Sequence, residues 1–158
     1  MSYEIRPASP EDESGILRLF PRLADFDFPP HRTSEGLWRG DEKTFRRWLA
    51  GREEQCLVLV AAPPDRQILG MAMIRLLPDP LDGSPSAHLE TLVVAAEAEG
   101  LGVGSALLES AEDHARGNGA ETLSLHVFET NQRARRLYEK RGFSVEWLRY
   151  RKTLNHSR

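Results

Sequence analysis

The sequence predicts an α/β (α+β) fold. Three observations point there. Short β-branched runs bounded by turn residues alternate with stretches of helical periodicity. One such run, Leu89–Val94, enters a turn with glycine at every second position that opens directly into an amphipathic segment. The 158 residues suit one core, with roughly 70% of the unfolded chain's surface removed from water at that size. A single domain over residues 1–158 is expected, ordered over about 3–154.

Composition narrows the function. A formal net charge of −3 argues against a general nucleic-acid binder, which is usually strongly basic. The longest apolar run, Cys56–Ala62, is too short to span a bilayer, and the N-terminus lacks a charged-then-apolar signal pattern. A cytoplasmic location follows as the expectation, with neither nucleic acid nor membrane as partner. Cys56 is the single cysteine, so no intrachain disulfide forms. Inside an apolar run it reads as a small buried hydrophobe. No histidine lies close to another histidine or cysteine at ligand spacing, so no metal site is expected. There is no internal repeat.

Taken in order, Tyr3–Pro7 reads as a first strand, stopped where Pro7 removes a donor. Ser9, Pro10, Glu11 and Asp12 mark a helix start, with Ile16, Leu19, Phe20 and Leu23 facing the core and Pro21 kinking or ending the helix. Ala24–Arg32 alternates acid with aromatic before two prolines. It reads as a surface loop pinned by two buried phenylalanines, Phe26 and Phe28. A second helix from about Asp41 places Phe45, Trp48 and Leu49 on one face. Leu57–Ala62 and Ile68–Leu76 form a hairpin through Pro63–Gln67, with Gly70 marking a close approach or a bulge.

After a loop over Leu77–Pro85 comes the strand His88–Val94. Alternation places His88, Glu90 and Leu92 on one face and Leu89, Thr91 and Val93 on the other. The helix beyond the glycines carries Val103, Ala106, Leu107, Ser110, Ala111 and Ala115 as its apolar stripe, and Asn118-Gly119 ends it. Thr122–Phe128 is the next strand, the Asn131 helix stops at Gly142, Phe143 to about Leu154 supplies one or two closing strands, and Asn155–Arg158 fray.

The glycine turn is an anion cradle. Glycines admit positive φ and close backbone approach, and the first amides of a helix have no intrahelical acceptor. Spacing identifies the anion. No lysine fits a Walker A loop, and Ser105 stands where a dinucleotide fold requires a third glycine.

Glu99, Gly102 and Gly104 instead fall where the GNAT acyltransferase superfamily has Arg/Gln, Gly and Gly/Ala. Asn131, Ala134, Leu137-Tyr138, a basic residue and Gly142-Phe143 resemble that family's later signature. The two motifs span residues 88–143. The resemblance implies a mixed, mostly antiparallel splayed sheet flanked by about four helices. It also implies acetyl-CoA as co-substrate and transfer of its acetyl group to a primary amine, on a small molecule or peptide, by direct attack in a ternary complex. The oligomeric state is left open, a homodimer included. The resemblance further implies that the region between the first two helices borders the acceptor site, where Asp25, Asp27, Phe26 and Phe28 would receive a cationic amine. A non-catalytic acyl-CoA sensor of the same fold is the alternative.

By the same resemblance pantetheine pairs with Leu92, Val93 and Val94, and the diphosphate sits on the amides of Gly100, Leu101, Gly102, Val103, Gly104 and Ser105. Asn131, Ala134 and Tyr138 also contact the cofactor, and Tyr138 takes the place of the proton donor to the thiolate. Asn131 reads equally as a helix cap, and Tyr138 as a core aromatic. An alkylamine of pKa about 10.4 must lose a proton before it attacks. Glu90 is the first candidate base, directly or through water, and His88 the second. Against them stands a plain ion pair for Glu90. Glu99 departs from the family pattern and should repel a diphosphate. Arg133, Arg135, Arg136, Lys140 and Arg141 either offset it or form a solvated helix face.

Overall fold

Five strands form one sheet in the order β1-β2-β3-β4-β5. They are β1 (Glu4–Pro7), β2 (Cys56–Ala62), β3 (Gly70–Pro78), β4 (Pro85–Val94) and β5 (Thr122–Leu125). The first three junctions are antiparallel, and β4 with β5 is parallel. The computed structural model describes residues 2–64 and 67–154. Its helices are α1 (Glu13–Leu17), α2 (Arg39–Leu49), α3 (Val103–Gly117) and α4 (Gln132–Lys140). This is the mixed, mostly antiparallel sheet with four helices that was expected, and α3 supplies the crossover that a parallel pair requires.

The first helix is broken where proline dictates. Pro10–Asp12 and Phe20–Ala24 are 3-10 turns on either side of α1, because Pro21 cannot continue an α-helical ladder. The apolar spacing survives the break, and Ile16, Leu19 and Phe20 are fully buried. Arg6 donates two hydrogen bonds to the buried Asp12, at 2.8 and 3.0 Å, and pins β1 to that turn. Phe20 meets Phe45 of α2 with ring centroids 5.9 Å apart.

The β3–β4 loop is shorter than the expected Leu77–Pro85. Asp79 accepts the amides of Leu81 and Asp82, Asp82 accepts that of Ser84, and both strands extend to meet these turns. The tip of the β2–β3 connection, Asp65 and Arg66, lies outside the described residues, as do Asn155–Arg158. On β4, Leu89, Thr91 and Val93 are buried while His88, Glu90 and Leu92 are half-buried. However, His88 pairs with Arg75 and Leu92 with Ala72, on opposite faces of β3, so the expected single face of His88, Glu90 and Leu92 is broken between Leu89 and Thr91. Along α3 the buried stripe is Val103, Leu107, Leu108, Ala111 and Ala115, and Gly119 ends the helix at φ +89°. Cys56 is 3% exposed, and burial raises its thiol pKa.

Gly70 marks a close approach. A Cβ there would lie 2.9 Å from the Val93 carbonyl oxygen and 2.9 Å from Leu107 of α3. The bulge lies elsewhere. Met73 pairs with Thr91 and Ile74 with Leu89, which leaves Glu90 without a partner on β3.

Two expectations fail on the C-terminal side. The strand begun at Thr122 leaves the ladder after Leu125, so His126–Phe128 are not strand. Phe143–Leu154 forms no strand at all, and Val145, Trp147, Leu148, Tyr150 and Leu154 stand 55–89% exposed. The side-chain pattern records fit to a sheet, but pairing needs a neighbouring edge, and β5 is only four residues long.

Gly70→Ala places its methyl against backbone that cannot yield. It is expected to cost about 1–3 kcal/mol of stability, read as a lower urea midpoint at unchanged slope. An unchanged midpoint would contradict the packing.

Candidate active site

β4 and β5 pair from Ser86–Thr122 to Leu89–Leu125 and then part. The bulge at Glu90 bends β4 at the same point. Beyond it, Glu90–Val94 faces β3 along one edge only. The Ala95 amide bonds Leu69 across that edge, so alternation turns the N–H and C=O groups of Leu92 and Val94 to the open side.

The parting leaves a cleft of about 160 Å³. β4 lines it with Leu89, Glu90, Thr91 and Leu92, and the segment after β5 with His126 and Phe128. Asn131, Ala134 and Tyr138 close it from α4, and Leu23, Phe26, Leu37 and Asp41 from the chain between α1 and α2. The register places Leu89 and Leu92 opposite Ile74 and Ala72 on one face of the sheet, and Thr91 opposite Met73 on the other, with Glu90 bonded to Arg75 of that second face. All four line the cleft, so it opens through the sheet. A larger depression on the outside of α2, lined by Arg39, Lys43 and Arg47 among others, shares no residue with it.

The glycine turn has the backbone expected of a cradle. Gly100 and Gly102 have φ of +78° and +80°, in the region that favours glycine. α3 starts without a side-chain cap, which leaves its first amides to other acceptors. A Cβ on Gly104 would stand 3.4 Å from Leu137 and 3.6 Å from Val94. That bareness lets α4 pack close to the open edge.

Glu99 is not a free negative charge. Arg133 reaches it at 2.7 Å and Arg22 also bonds it, and these bonds hold its carboxyl below the usual range. Arg22 further donates Nε to the Val94 carbonyl at 3.2 Å and pairs with Asp25. No local pattern flags this role of Arg22, because Val94 and Glu99 lie more than seventy residues away from it. Of the remaining α4 cations, Arg135 pairs with Glu139 and Arg141 with Glu109 and Glu112, while Arg136 and Lys140 are exposed. Phe26 packs on Phe128 at 5.6 Å and is half-buried, whereas Asp25 and Asp27 are exposed.

Glu90 accepts a 2.6 Å hydrogen bond from Arg75 Nε on one carboxylate oxygen, and Arg75 also bonds Glu53. His88 sits in the paired part of β4. Its Nδ1 lies 2.8 Å from Ser124 Oγ and its ring 4.7 Å from that of His126. Desolvation, and then the His126 charge, lower its pKa and keep the ring neutral at neutral pH. Burial pushes the Tyr138 phenol up to about 12, with Phe143 edge-on at 5.8 Å. Asn131 caps α4 through Oδ1, 3.3 Å from the Ala134 amide, and also lines the cleft.

The residue that both motifs miss is Asp41, in the first turn of α2. Desolvation raises its carboxyl to about 6, the Thr91 hydroxyl opposes the rise, and the Glu90 charge adds to it. Among the described residues no helix is long and apolar enough to cross a membrane, and no group of three or more His, Cys, Asp or Glu is placed to hold a metal ion.

Residues 19–143 match the sequence profile described as the acetyltransferase (GNAT) family. A Bacillus subtilis protein described as the uncharacterized N-acetyltransferase YhfO is 29% identical over 142 residues, covering 90% of each chain. A mycothiol acetyltransferase from Propionibacterium freudenreichii subsp. shermanii is 42% identical over 64 residues, 40% of this chain and 20% of that protein. The chain therefore spans about a fifth of that relative's length. Among solved structures, an acetyltransferase from Trypanosoma brucei superimposes with a TM-score of 0.69 at 26% identity, over 97% of this chain and 100% of that one. The chain, from its broken sheet to its bare helix mouth, belongs to the GNAT acetyltransferase family.

Proposed function

We propose that this protein is an acetyl-CoA-dependent N-acetyltransferase that moves the acetyl group to a primary amine by direct attack within a ternary complex. One observation supports the reading: β4 lacks a second neighbour beyond Leu89, its end at Val94 lies beside Gly104 in the uncapped first turn of α3, and Tyr138 lines the cleft with Leu92. A thioester carrier needs those three things in one place.

In this reading the diphosphate takes the amides from Gly100 to Ser105, where the helix dipole favours negative charge. Pantetheine lies along Leu92–Val94 as an added strand. Arg22 already occupies the Val94 carbonyl, so the Leu92 and Val94 amides and the Leu92 carbonyl are left for the ligand. An amide there donates to the thioester oxygen as it becomes an oxyanion. The amine nitrogen bonds the carbonyl carbon, the C–S bond breaks, and CoA leaves as thiolate.

Tyr138 stabilises that thiolate by donating a hydrogen bond. A phenol at about 12 against a thiol near 8.5 makes complete proton transfer uphill by about 5 kcal/mol. Glu90, with one carboxylate oxygen outside its bond to Arg75, is the candidate acceptor of the amine proton through water, and His88 the second candidate. Asn131 and Ala134 hold the α4 side of the carrier.

Thiol release from acetyl-CoA in the presence of polyamines, amino acids, aminoglycosides and peptide N-termini tests the reading. At least one amine should raise the rate above hydrolysis, and none doing so sinks it. Tyr138→Phe should lower kcat about 10–100-fold with CoA affinity by calorimetry unchanged.

Gly104→Asp should weaken CoA binding at least tenfold, about 1.4 kcal/mol, in a protein whose circular dichroism is unaltered. Retained affinity would remove the diphosphate from the α3 mouth. Glu99→Gln should act in the opposite direction, tightening CoA by freeing Arg22 and Arg133 for phosphate. Equal or weaker binding would refute that role for the two arginines.

A further inference from the structure

Asp41 and Thr91 form a polar pair that the proposed reaction leaves unused. Both line the cleft on the side where α2 meets β4. Thr91 is 3% exposed, and its hydroxyl approaches the Asp41 carboxylate without completing a well-formed hydrogen bond, which favours the ionised acid. Asp41 makes no salt bridge among the described residues, whereas Glu90, the other carboxylate of the cleft, is countered by Arg75. No lysine or arginine lines the cleft. The surroundings of the pair are apolar: Leu23, Phe26, Leu37 and Phe128. A carboxylate without a salt bridge, a hydroxyl beside it and an aromatic wall describe a receptor for an organic cation.

We propose that Asp41, with Thr91 beside it, binds the acceptor as a primary ammonium carried on an apolar or aromatic body, and accepts its proton. The inference rests on the acetyltransferase reading and adds the acceptor's class to it. The ammonium pairs with the Asp41 carboxylate at the α2 mouth, and its hydrocarbon lies against Phe26 and Phe128. One N–H proton passes to Asp41 in place of Glu90, the freed lone pair forms the C–N bond as the C–S bond breaks, the second N–H proton passes through water to the departing thiolate, and the carboxyl proton returns to solvent. A carboxyl near 6 is ionised at neutral pH, as this role demands. The other titratable groups facing the cleft are Glu90 with Arg75 behind it, His126 with His88 beside it, and Tyr138.

Calorimetry with phenethylammonium and its neutral analogue 2-phenylethanol, in the presence of CoA, tests the site without turnover. The wild-type protein should bind the cation at least tenfold more tightly than the alcohol. Asp41→Asn should abolish that preference while leaving CoA affinity unchanged, and Asp41→Glu should restore part of it. Binding of the cation should fall as pH drops through about 6, because protonation removes the carboxylate charge. His126→Gln should keep this fall and Asp41→Asn should lose it. No binding of the cation, equal binding of the alcohol, or a preference that survives Asp41→Asn overturns the proposal. Cation binding that depends on Asp41, with no amine-stimulated thiol release, would instead overturn the acetyltransferase reading and leave this site standing.

Discussion

The separation of β4 from β5 after Leu89 is the constraint on which the rest of the structure depends. Two parallel strands that have begun to pair gain a hydrogen bond with each further step, so their parting must be held. The bulge at Glu90 turns β4 away from the line it shared with β5. On the far side Phe26 packs against Phe128, and Arg32 lies over the same ring at 5.7 Å, drawing the chain after β5 outward. Arg22 satisfies the Val94 carbonyl that the lost pairing leaves unbonded. The groups left over at Leu92 and Val94 are those that an extended ligand would meet.

Charge around the gap is arranged by distant partners. Glu99 stands where its family relatives carry Arg or Gln, and taken alone it opposes a diphosphate. Between Arg22 and Arg133 it becomes the shared anion of a cluster whose two cations offset its one charge. The ion pairs are partly exposed and contribute little to stability. Their consequence is positional: two guanidinium groups are already gathered beside the α3 mouth.

What was legible in the sequence was local. The strand His88–Val94, the positive-φ glycines at 100 and 102, the Asn131 cap and the stop at Gly142 each follow from residues within a few positions of one another, whereas the bulge that interrupts the strand's alternation at Glu90 does not. The open edge, the Tyr138 position and the cradle were legible for the same reason, since two short motifs span them. Arg22, Asp41 and the Glu90–Arg75 pair were not, because each acquires its meaning from a residue on another element. Phe143–Leu154 misled for the opposite reason. Val145, Trp147 and Leu148 have the character of strand residues, but no hydrogen-bonding edge lies beside them.

Burial gives the proposed chemistry its direction. The same desolvation lifts Tyr138 to about 12 and Asp41 to about 6, since both are acids whose charged forms lose water. An ammonium entering that environment is affected in reverse and releases its proton more readily. In water the step from an amine near 10.4 to an aspartate near 3.9 is uphill by about 9 kcal/mol, and the rise of Asp41 to about 6 removes about 3 kcal/mol of that. Within the cleft both partners shift toward neutrality, and the gap narrows. The thiolate, by contrast, leaves toward α4 and finds a phenol that keeps its proton and lends a hydrogen bond. Acceptor entry from the α2 side and thiolate departure on the α4 side thus require a passage through the sheet, which paired strands would have closed.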